Sequence, residues 1–184
     1  MLILSPELSE FLGIHAGDGH LRKIKNEVEI SGGYDERKYY DNRVIILINR
    51  LFQLNIKGQF FPTKSTYGLR VSNVLIKRCL NCYGFPSGNK SRIVKVPSQI
   101  FESMDPEIRR SFLRGLFDTD GCITFDRKRC NKDTFKGKKN YYPRIFFTSV
   151  SRELALGFHK LAIKEGFNSK IYVRHTSKHG RKYS

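Results

Sequence analysis

The chain has 184 residues, of which 39% are hydrophobic, which is enough apolar material for a sizeable core and excludes a wholly disordered protein. It carries 34 Lys and Arg against 17 Asp and Glu, a net charge of +17. Solubility alone does not require so large an excess of one sign, so we expect a polyanionic partner, most simply nucleic acid. No apolar run approaches the ~20 residues of a membrane-spanning helix, and residues 1–7 lack the basic start of a signal peptide. We therefore expect a cytoplasmic protein with no membrane partner.

The first predicted element is a helix that begins after Ser5. The Ser5 hydroxyl is a suitable N-cap, Pro6 fits the first helical position, and Glu7 places an acid near the positive end of the helix dipole. Residues 105–107 (Asp-Pro-Glu) repeat this start signal with Asp105 as the N-cap, and Gly19 and Gly121 stand where left-handed C-terminal caps are expected.

Strands and helices alternate along the rest of the first half. The predicted order is basic strand-like stretches over 20–30, a helix over 39–54, strands over 56–61 and 67–72, and a helix over 74–83. Residues 86–98 are rich in Pro, Ser, Gly, Asn and Lys and are typical of a connection.

The same order then begins again. Residues 11–19 and 113–121 both end in Asp-Gly, and three residues recur at an offset of 102 (120 − 18): Gly13, Asp18 and Gly19 match Gly115, Asp120 and Gly121. Strands over 122–129 and 141–150, a helix over 152–166 and a strand over 170–174 follow. We predict an α+β fold of two pseudo-symmetric αββαββα repeats, residues 1–86 and 105–184, connected by residues 87–104. The second repeat lacks its last strand and helix, so either the natural protein is short or the sequence is a fragment.

The repeated segments place small residues four apart. Gly13 and Gly17 share one helical face, and Gly115 and Thr119 share the matching face. This spacing predicts two helices whose backbones approach closely.

Two acids end these helices. If the helices pack side by side and in parallel, Asp18 and Asp120 converge at two negative dipole ends, an unfavourable arrangement unless a cation relieves it. A divalent ion with oxygen ligands, most plausibly Mg²⁺, would do so and could activate water at a phosphodiester.

The two segments resemble the paired motifs of the LAGLIDADG homing endonucleases of the archaeal intron and intein type. Residues 112–121 match closely, whereas the first copy has Ala16 where the motif's earlier acid usually stands. The resemblance implies a monomer with a saddle of antiparallel sheets, which cuts double-stranded DNA at a long pseudo-palindromic site. It also implies that Asp18 and Asp120 are the metal-binding catalytic acids.

The resemblance implies further site residues. The backbone carbonyls of Gly17 and Thr119 would be additional metal ligands, and two or three Mg²⁺ ions, replaceable by Mn²⁺, would lie at the pseudo-twofold axis. Lys90 would order water as a catalytic residue, with a solvated linker lysine as an equally weighted alternative. For Asp118, the favoured role is bonding to nearby backbone at the helix end.

Basic and amide residues on the predicted strands would contact DNA, because Arg, Lys and Gln can read base edges in the major groove. Neutralising about ten phosphates would give a slope of affinity against salt near −9 in log–log terms. Lysines 136, 138 and 139 in a loop would meet phosphate. The predicted DNA contacts are Arg22, Lys25, Lys57, Gln59, Arg70, Lys128, Arg144, Lys170 and Arg174.

Three alternatives stay open. The chain could be a maturase that binds its own intron RNA, a DNA-binding protein of this fold without cleavage, or an intein-resident domain. Because no splicing segments flank the motifs, a free-standing intron-encoded enzyme is preferred. The four cysteines have poor zinc-finger spacing, so reduced, mostly buried thiols are expected.

Overall fold

The structure is a computed structural model and describes residues 3–127 and 141–173. The first repeat shows the predicted αββαββα order, and the second shows αββα within the described residues, so the predicted α+β fold with antiparallel sheets is confirmed. The helices are α1 (Pro6–Asp18), α2 (Arg37–Tyr39), α3 (Ile45–Phe52), α4 (Val74–Cys82), α5 (Ser98–Glu102), α6 (Pro106–Asp120) and α7 (Arg152–Lys164). The strands are β1 (Gly19–Leu21), β2 (Glu27–Gly33), β3 (Gln59–Phe61), β4 (Thr66–Ser72), β5 (Gly121–Arg127) and β6 (Tyr141–Phe147).

The first sheet is antiparallel, with strand order β1-β2-β4-β3, and its two faces differ in character. One face packs on the core through Leu21, Ile30 and Leu69, all fully buried. The residues between them in sequence point to the opposite side, which we call the open face. Glu29 pairs with His20 on β1 and with Arg70 on β4, so all three lie on the open face.

The second sheet contains β5 and β6 among the described residues. Gly121 pairs with Phe147 just as Gly19 pairs with Ile30, so the two repeats begin their sheets in the same register. The strand predicted over 170–174 is not found in its described part, because residues 170–173 have no strand partner among the described residues.

Helices α1 and α6 cross at the centre of the molecule with their backbones in contact. A Cβ on Gly13 would collide with the carbonyl of Phe112, and one on Gly115 would collide with the carbonyl of Glu10. The Ser9 hydroxyl donates a hydrogen bond to the Ile108 carbonyl (2.6 Å) across the same crossing. The close approach predicted from the spacing of small residues is therefore found, and one continuous core surrounds it.

The prediction of left-handed caps at the motif ends is wrong. Gly19 (φ −78°) and Gly121 (φ −88°) are extended, because each starts a strand directly after its helix. Glycine is needed there for space instead, since a Cβ would collide with the ring of His15 or of Phe117.

Several element boundaries also differ from the prediction. Residues 20–30 are split by a turn at 22–26, and β3 starts at Gln59 because the Asn49 side chain bonds both backbone groups of Ile56 (2.8 and 2.9 Å). The helix predicted over 39–54 contains a π-helical turn, Tyr40–Val44, and ends at Phe52 with Gln53 in the left-handed conformation (φ 52°). Helix α7 likewise ends before Gly166 (φ +89°).

The connection between the repeats is packed against the core. Val94 and Val96 are buried, the Ser151 hydroxyl donates to the Val94 carbonyl (2.5 Å), and α5 adds a short helix that the sequence did not predict. The connection therefore forms part of the interior of the molecule.

The cysteine prediction is partly wrong. Cys79 is buried, and burial raises its pKa to about 11, but Cys82 and Cys122 are exposed, and Cys130 lies outside the described residues. In the described part of the chain, no helix has both the length and the apolar character needed to cross a membrane.

Candidate active site at the ends of the central helices

The crossing of α1 and α6 brings the two motif acids together. Asp18 and Asp120 are the last residues of their helices, and a Cβ on Gly17 of α1 would lie 3.3 Å from the Oδ2 atom of Asp120. The carboxylate of the second repeat thus reaches the end of the first helix. The convergence predicted from the sequence is found.

Lys90 enters this site from the connection between the repeats. Its Nζ donates hydrogen bonds to the carbonyls of Ala16 (2.5 Å) and Gly17 (2.6 Å), and the residue is 8% exposed. The alternative of a solvated linker lysine is therefore wrong. Lys90 caps the C-terminal end of α1, where its positive charge meets free carbonyls and the negative end of the dipole.

The three ionisable groups perturb one another. Burial raises the pKa of Asp18 to about 6, with Asp120 adding to the rise, while the Tyr40 hydrogen bond and Lys90 oppose it. Burial also raises the pKa of Asp120, against the lowering effect of Lys90. Burial lowers the pKa of Lys90 to about 8, although both acids raise it. Lys90 is therefore the resident cation whose charge acts on both carboxylates.

Tyr40 is a site residue that sequence reasoning missed. Its side chain is fully buried, and its hydroxyl donates a hydrogen bond to Oδ2 of Asp18 (2.5 Å). The side chain comes from the π-helical turn Tyr40–Val44, 22 residues beyond the acid. A tyrosine at this distance gives no local sequence signal, and only the packing of the helix against α1 brings it to the acid.

A buried ionic cluster centred on Glu10 of α1 also links the two repeats, about two helical turns before Asp18. The Glu10 carboxylate, 1% exposed, accepts hydrogen bonds from Arg43 of the π-helical turn and from Arg114 (2.6 Å) of α6. Asp118 lies near this cluster, and its pKa is raised by burial and by the charge of Glu10. Contrary to prediction, no backbone hydrogen bond to the Asp118 carboxylate is found among the described residues.

His15 lies one turn before the acid of the first motif. It is fully buried against Phe85, with ring centroids 5.0 Å apart, and neither ring nitrogen has a hydrogen-bond partner in the described part of the chain. Burial lowers its pKa to about 3, so the ring is neutral and acts as a packing group. Phe117 holds the equivalent place in the second motif, which agrees with an apolar role.

The donor set suits a hard divalent cation that also binds substrate. Two carboxylates converge, and within residues 3–127 and 141–173 no group of three or more His, Cys, Asp or Glu residues could hold a metal. Mg²⁺ is commonly held by one or two carboxylates with substrate phosphate and water completing its coordination, which fits two acids without a third. The predicted Gly17 ligand carbonyl already accepts a hydrogen bond from Lys90, and the Thr119 hydroxyl donates to the Leu116 carbonyl (3.0 Å).

The predicted DNA contacts are spread over the exposed surface. Arg70 and Gln59 share the open face of the first sheet, since Gln59 pairs with Gly68 two residues before Arg70. Arg144 pairs with Thr124 on β5, and it has interactions of its own. Lys25, Lys57 and Lys170 lie outside the strands, and Lys128 and Arg174 lie outside the described residues, as do the loop lysines at 136, 138 and 139.

The open face also holds acids that the sequence analysis overlooked. Glu29, 3% exposed, accepts hydrogen bonds from Lys64 (2.5 Å) and Arg70 (2.7 Å), and Arg22 forms an ion pair with Glu27 (2.6 Å). Burial alone would raise the pKa of Glu29, but these two cations outweigh it and lower the pKa. Two of the predicted DNA contacts, Arg22 and Arg70, are thus paired with acids before any DNA binds.

Comparison with known proteins finds a family model that matches the second half of the chain. Residues 107–184 match the model of the LAGLIDADG-like domain. The chain is 19% identical to a structure of mesophilic variants of the homing endonuclease I-DmoI, with a TM-score of 0.47 over 68% of this chain and 70% of that one.

Three curated relatives are named for activities other than DNA cleavage. The chain is 27% identical to a probable translation initiation factor IF-2 of Methanocaldococcus jannaschii, over 88% of this chain and 12% of the relative. It is 26% identical to the ribonucleoside-diphosphate reductase NrdEB subunit alpha of Bacillus subtilis, over 68% and 12%. It is 30% identical to the replication factor C small subunit of Methanocaldococcus jannaschii, over 64% and 6%. The chain thus spans about an eighth or less of these relatives. The match over residues 107–184 confirms the resemblance to the LAGLIDADG homing endonucleases that was predicted from the two repeated motifs.

Proposed function

We propose that the protein is a metal-dependent endonuclease that cuts double-stranded DNA at a specific site. The observation that carries this proposal is the meeting of Asp18 and Asp120 at the ends of the crossed helices, with the buried Lys90 bonded to the last turn of α1 near them. Acids with raised pKa values beside a buried lysine are typical of a catalytic centre.

Each acid would serve one DNA strand. Asp18 and Asp120 would hold Mg²⁺, or Mn²⁺ in its place, which when bound supplies a Lewis acid and lowers the pKa of a water molecule. Lys90 holds the end of α1 through two backbone carbonyls. With a pKa of about 8 it keeps a positive charge near neutral pH and can stabilise negative charge that develops on the scissile phosphate.

The open face of the first sheet and the exposed surface of strands β5 and β6 would bind the DNA. Gln59, Arg70 and Arg144 are exposed residues of antiparallel strands, and a two-stranded antiparallel ribbon can read a major groove. The net charge of +17 would attract the phosphate backbone. Because α1 and α6 give the two repeats one shared crossing, a single chain would present both sheets, as a monomer.

The curated relatives bear on the origin of the chain. Their names belong to translation, nucleotide reduction and replication, yet each resembles this chain over no more than 12% of its own length. A segment shared by proteins with such different names is not explained by any one of those activities. This pattern supports a mobile DNA-cutting element, and it makes an intein-resident origin as reasonable as the intron-encoded one.

The decisive test is cleavage of DNA by the pure protein. Wild type, Asp18→Asn and Asp120→Asn would be incubated in Mg²⁺ with a randomised duplex library, and new ends would be sequenced. Discrete ends at one recurring site, lost in both variants, are the expected result. Salt-sensitive duplex binding without new ends would contradict the proposal and leave a DNA-binding protein without cleavage, while preferential binding to structured RNA would favour a maturase.

A further inference from the structure

The two acids differ in their hydrogen bonding, although they occupy equivalent places in the two motifs. Asp18 accepts a hydrogen bond from the Tyr40 hydroxyl at 2.5 Å. Within residues 3–127 and 141–173, no group donates a hydrogen bond to the carboxylate of Asp120. One carboxylate oxygen of Asp18 therefore accepts a hydrogen bond from the protein, whereas neither oxygen of Asp120 accepts one from the described residues.

The difference originates in the helix that follows the second strand of each repeat. In the first repeat, Tyr40 opens a π-helical turn and is fully buried beneath the acid. In the second repeat, α7 is an uninterrupted α-helix from Arg152 to Lys164 and contains no tyrosine. π-helical turns are uncommon and are frequent at functional sites, so this irregularity supports a specific role for the side chain that it carries.

A glycine on β2, Gly32, leaves the space that the Tyr40–Asp18 pair occupies. A Cβ on Gly32 of β2 would collide with Oε2 of Glu36 and would lie 2.8 Å from the Tyr40 hydroxyl oxygen and 3.1 Å from Oδ2 of Asp18. Any larger residue at position 32 would therefore press on both partners. Tyr39, the preceding residue, has a buried hydroxyl without a hydrogen-bond partner in the described part of the chain, so it provides a matched comparison.

We propose that Tyr40 is a positioning residue that makes the two halves of the active site unequal, so that the two DNA strands are cut at different rates. The inference rests on the proposed endonuclease function. The hydroxyl holds Oδ2 of Asp18 and leaves Oδ1 as the oxygen offered to a divalent ion, in a fixed direction. Asp120 offers both oxygens, with greater freedom of orientation.

The first arm of the test measures the two strands separately. A duplex carrying the cleaved site would be labelled differently on each strand, and wild type would be compared with Tyr40→Phe and Tyr39→Phe. Loss of a hydrogen bond to a charged acceptor corresponds to about tenfold in rate. We expect Tyr40→Phe to change the ratio of the two strand rates about tenfold, toward equality, while Tyr39→Phe keeps the wild-type ratio. Gly32→Ala, which disturbs the pair without removing either member, should shift the ratio in the same direction.

The second arm needs no cleavage. Mn²⁺ would be titrated into metal-free protein at pH 8 while the ¹³C-carboxyl signals of Asp18 and Asp120 are followed for paramagnetic broadening. We expect the Asp120 signal to broaden at lower Mn²⁺ concentration in the wild type, and the two concentrations to converge in Tyr40→Phe but not in Tyr39→Phe.

The two arms separate failure of this inference from failure of the endonuclease. If wild type cuts DNA and Tyr40→Phe keeps the strand ratio of Tyr39→Phe, the positioning role is wrong and the endonuclease stands. If wild type does not cut, the endonuclease is wrong, and equal broadening of both acids in the wild type would overturn the inequality as well.

Discussion

The pairing of Arg70 and Lys64 with Glu29 gives a quantitative prediction for DNA binding. Both cations lie on the open face, and their charge is partly neutralised by a carboxylate that is 3% exposed. Replacing Glu29 with Gln removes that negative charge but keeps the shape of the side chain. Each cation that becomes available to a phosphate adds about 0.9 to the slope of log affinity against log salt concentration.

We expect Glu29→Gln to steepen this slope by about 0.9 to 1.8, for one or two released cations. The measurement is fluorescence anisotropy of a labelled duplex of arbitrary sequence at a series of salt concentrations, so the cleavage site need not be known. A thermal melt of the variant would check that the sheet is still folded.

Glu7→Gln is the matched control, because it makes the same change in net charge at an exposed position of α1. Glu7 precedes Asp18 by 11 residues (18 − 7), about 16 Å along the helix. At that distance surface charges are largely screened, so the slope should scarcely change. If Glu29→Gln left the slope of the folded protein at the wild-type value, the open face would not be the DNA-binding face.

Three further predictions concern stability. Gly115→Ala should lower the free energy of unfolding by about 1–3 kcal/mol, because the new Cβ collides with the Glu10 carbonyl. Helix propensity alone predicts the opposite sign, a gain of about 1 kcal/mol. Urea denaturation of both proteins decides between the two signs. Burial alone would raise the pKa of Glu165, but its ion pairs with Arg109 and Arg110 lower the pKa below the ordinary 4.5. The stabilisation from these ion pairs is therefore present above about pH 4.5 and is lost as the pH falls through the lowered pKa. Glu165→Gln should therefore flatten the acid limb of stability against pH, and an unchanged limb would show that the pair contributes nothing. Lys90→Met should lower the free energy of unfolding by about 1–3 kcal/mol at pH 7 in chelator, where Lys90, with a pKa of about 8, is mostly charged. The loss should be smaller at about pH 5, where Asp18, whose pKa is raised to about 6, is mostly protonated and needs no counter-charge. An equal loss at both pH values would contradict the role of Lys90 as the resident cation.

The sequence predicted those features that depend on local pattern and repetition. The N-caps Ser5 and Asp105 do accept from the first turns of α1 and α6, and Gly13 and Gly115 do allow the helix backbones to touch. The convergence of Asp18 and Asp120 followed from the repeat alone.

Features that depend on distant packing were missed or misassigned. Tyr40 reaches Asp18 only because the π-helical turn packs beneath α1, and Glu29 pairs with Arg70 through a strand register that spans 41 residues. The same limit explains the error at Gly19. Its glycine is required by the His15 ring one turn earlier and by the immediate start of β1, whereas the sequence indicated a left-handed cap.

The direct contact of backbones at the crossing of α1 and α6 has a consequence for changing the target of the protein. Because no side chain separates Gly13 from the Phe112 carbonyl, the distance between the two halves of the active site is set by main-chain atoms. In the proposed endonuclease, the number of base pairs between the two cuts would then be a property of the helix pair, independent of which bases the sheets contact. Residues such as Gln59 and Arg70 could be exchanged to select new sequences, and every resulting variant should leave ends of the same length.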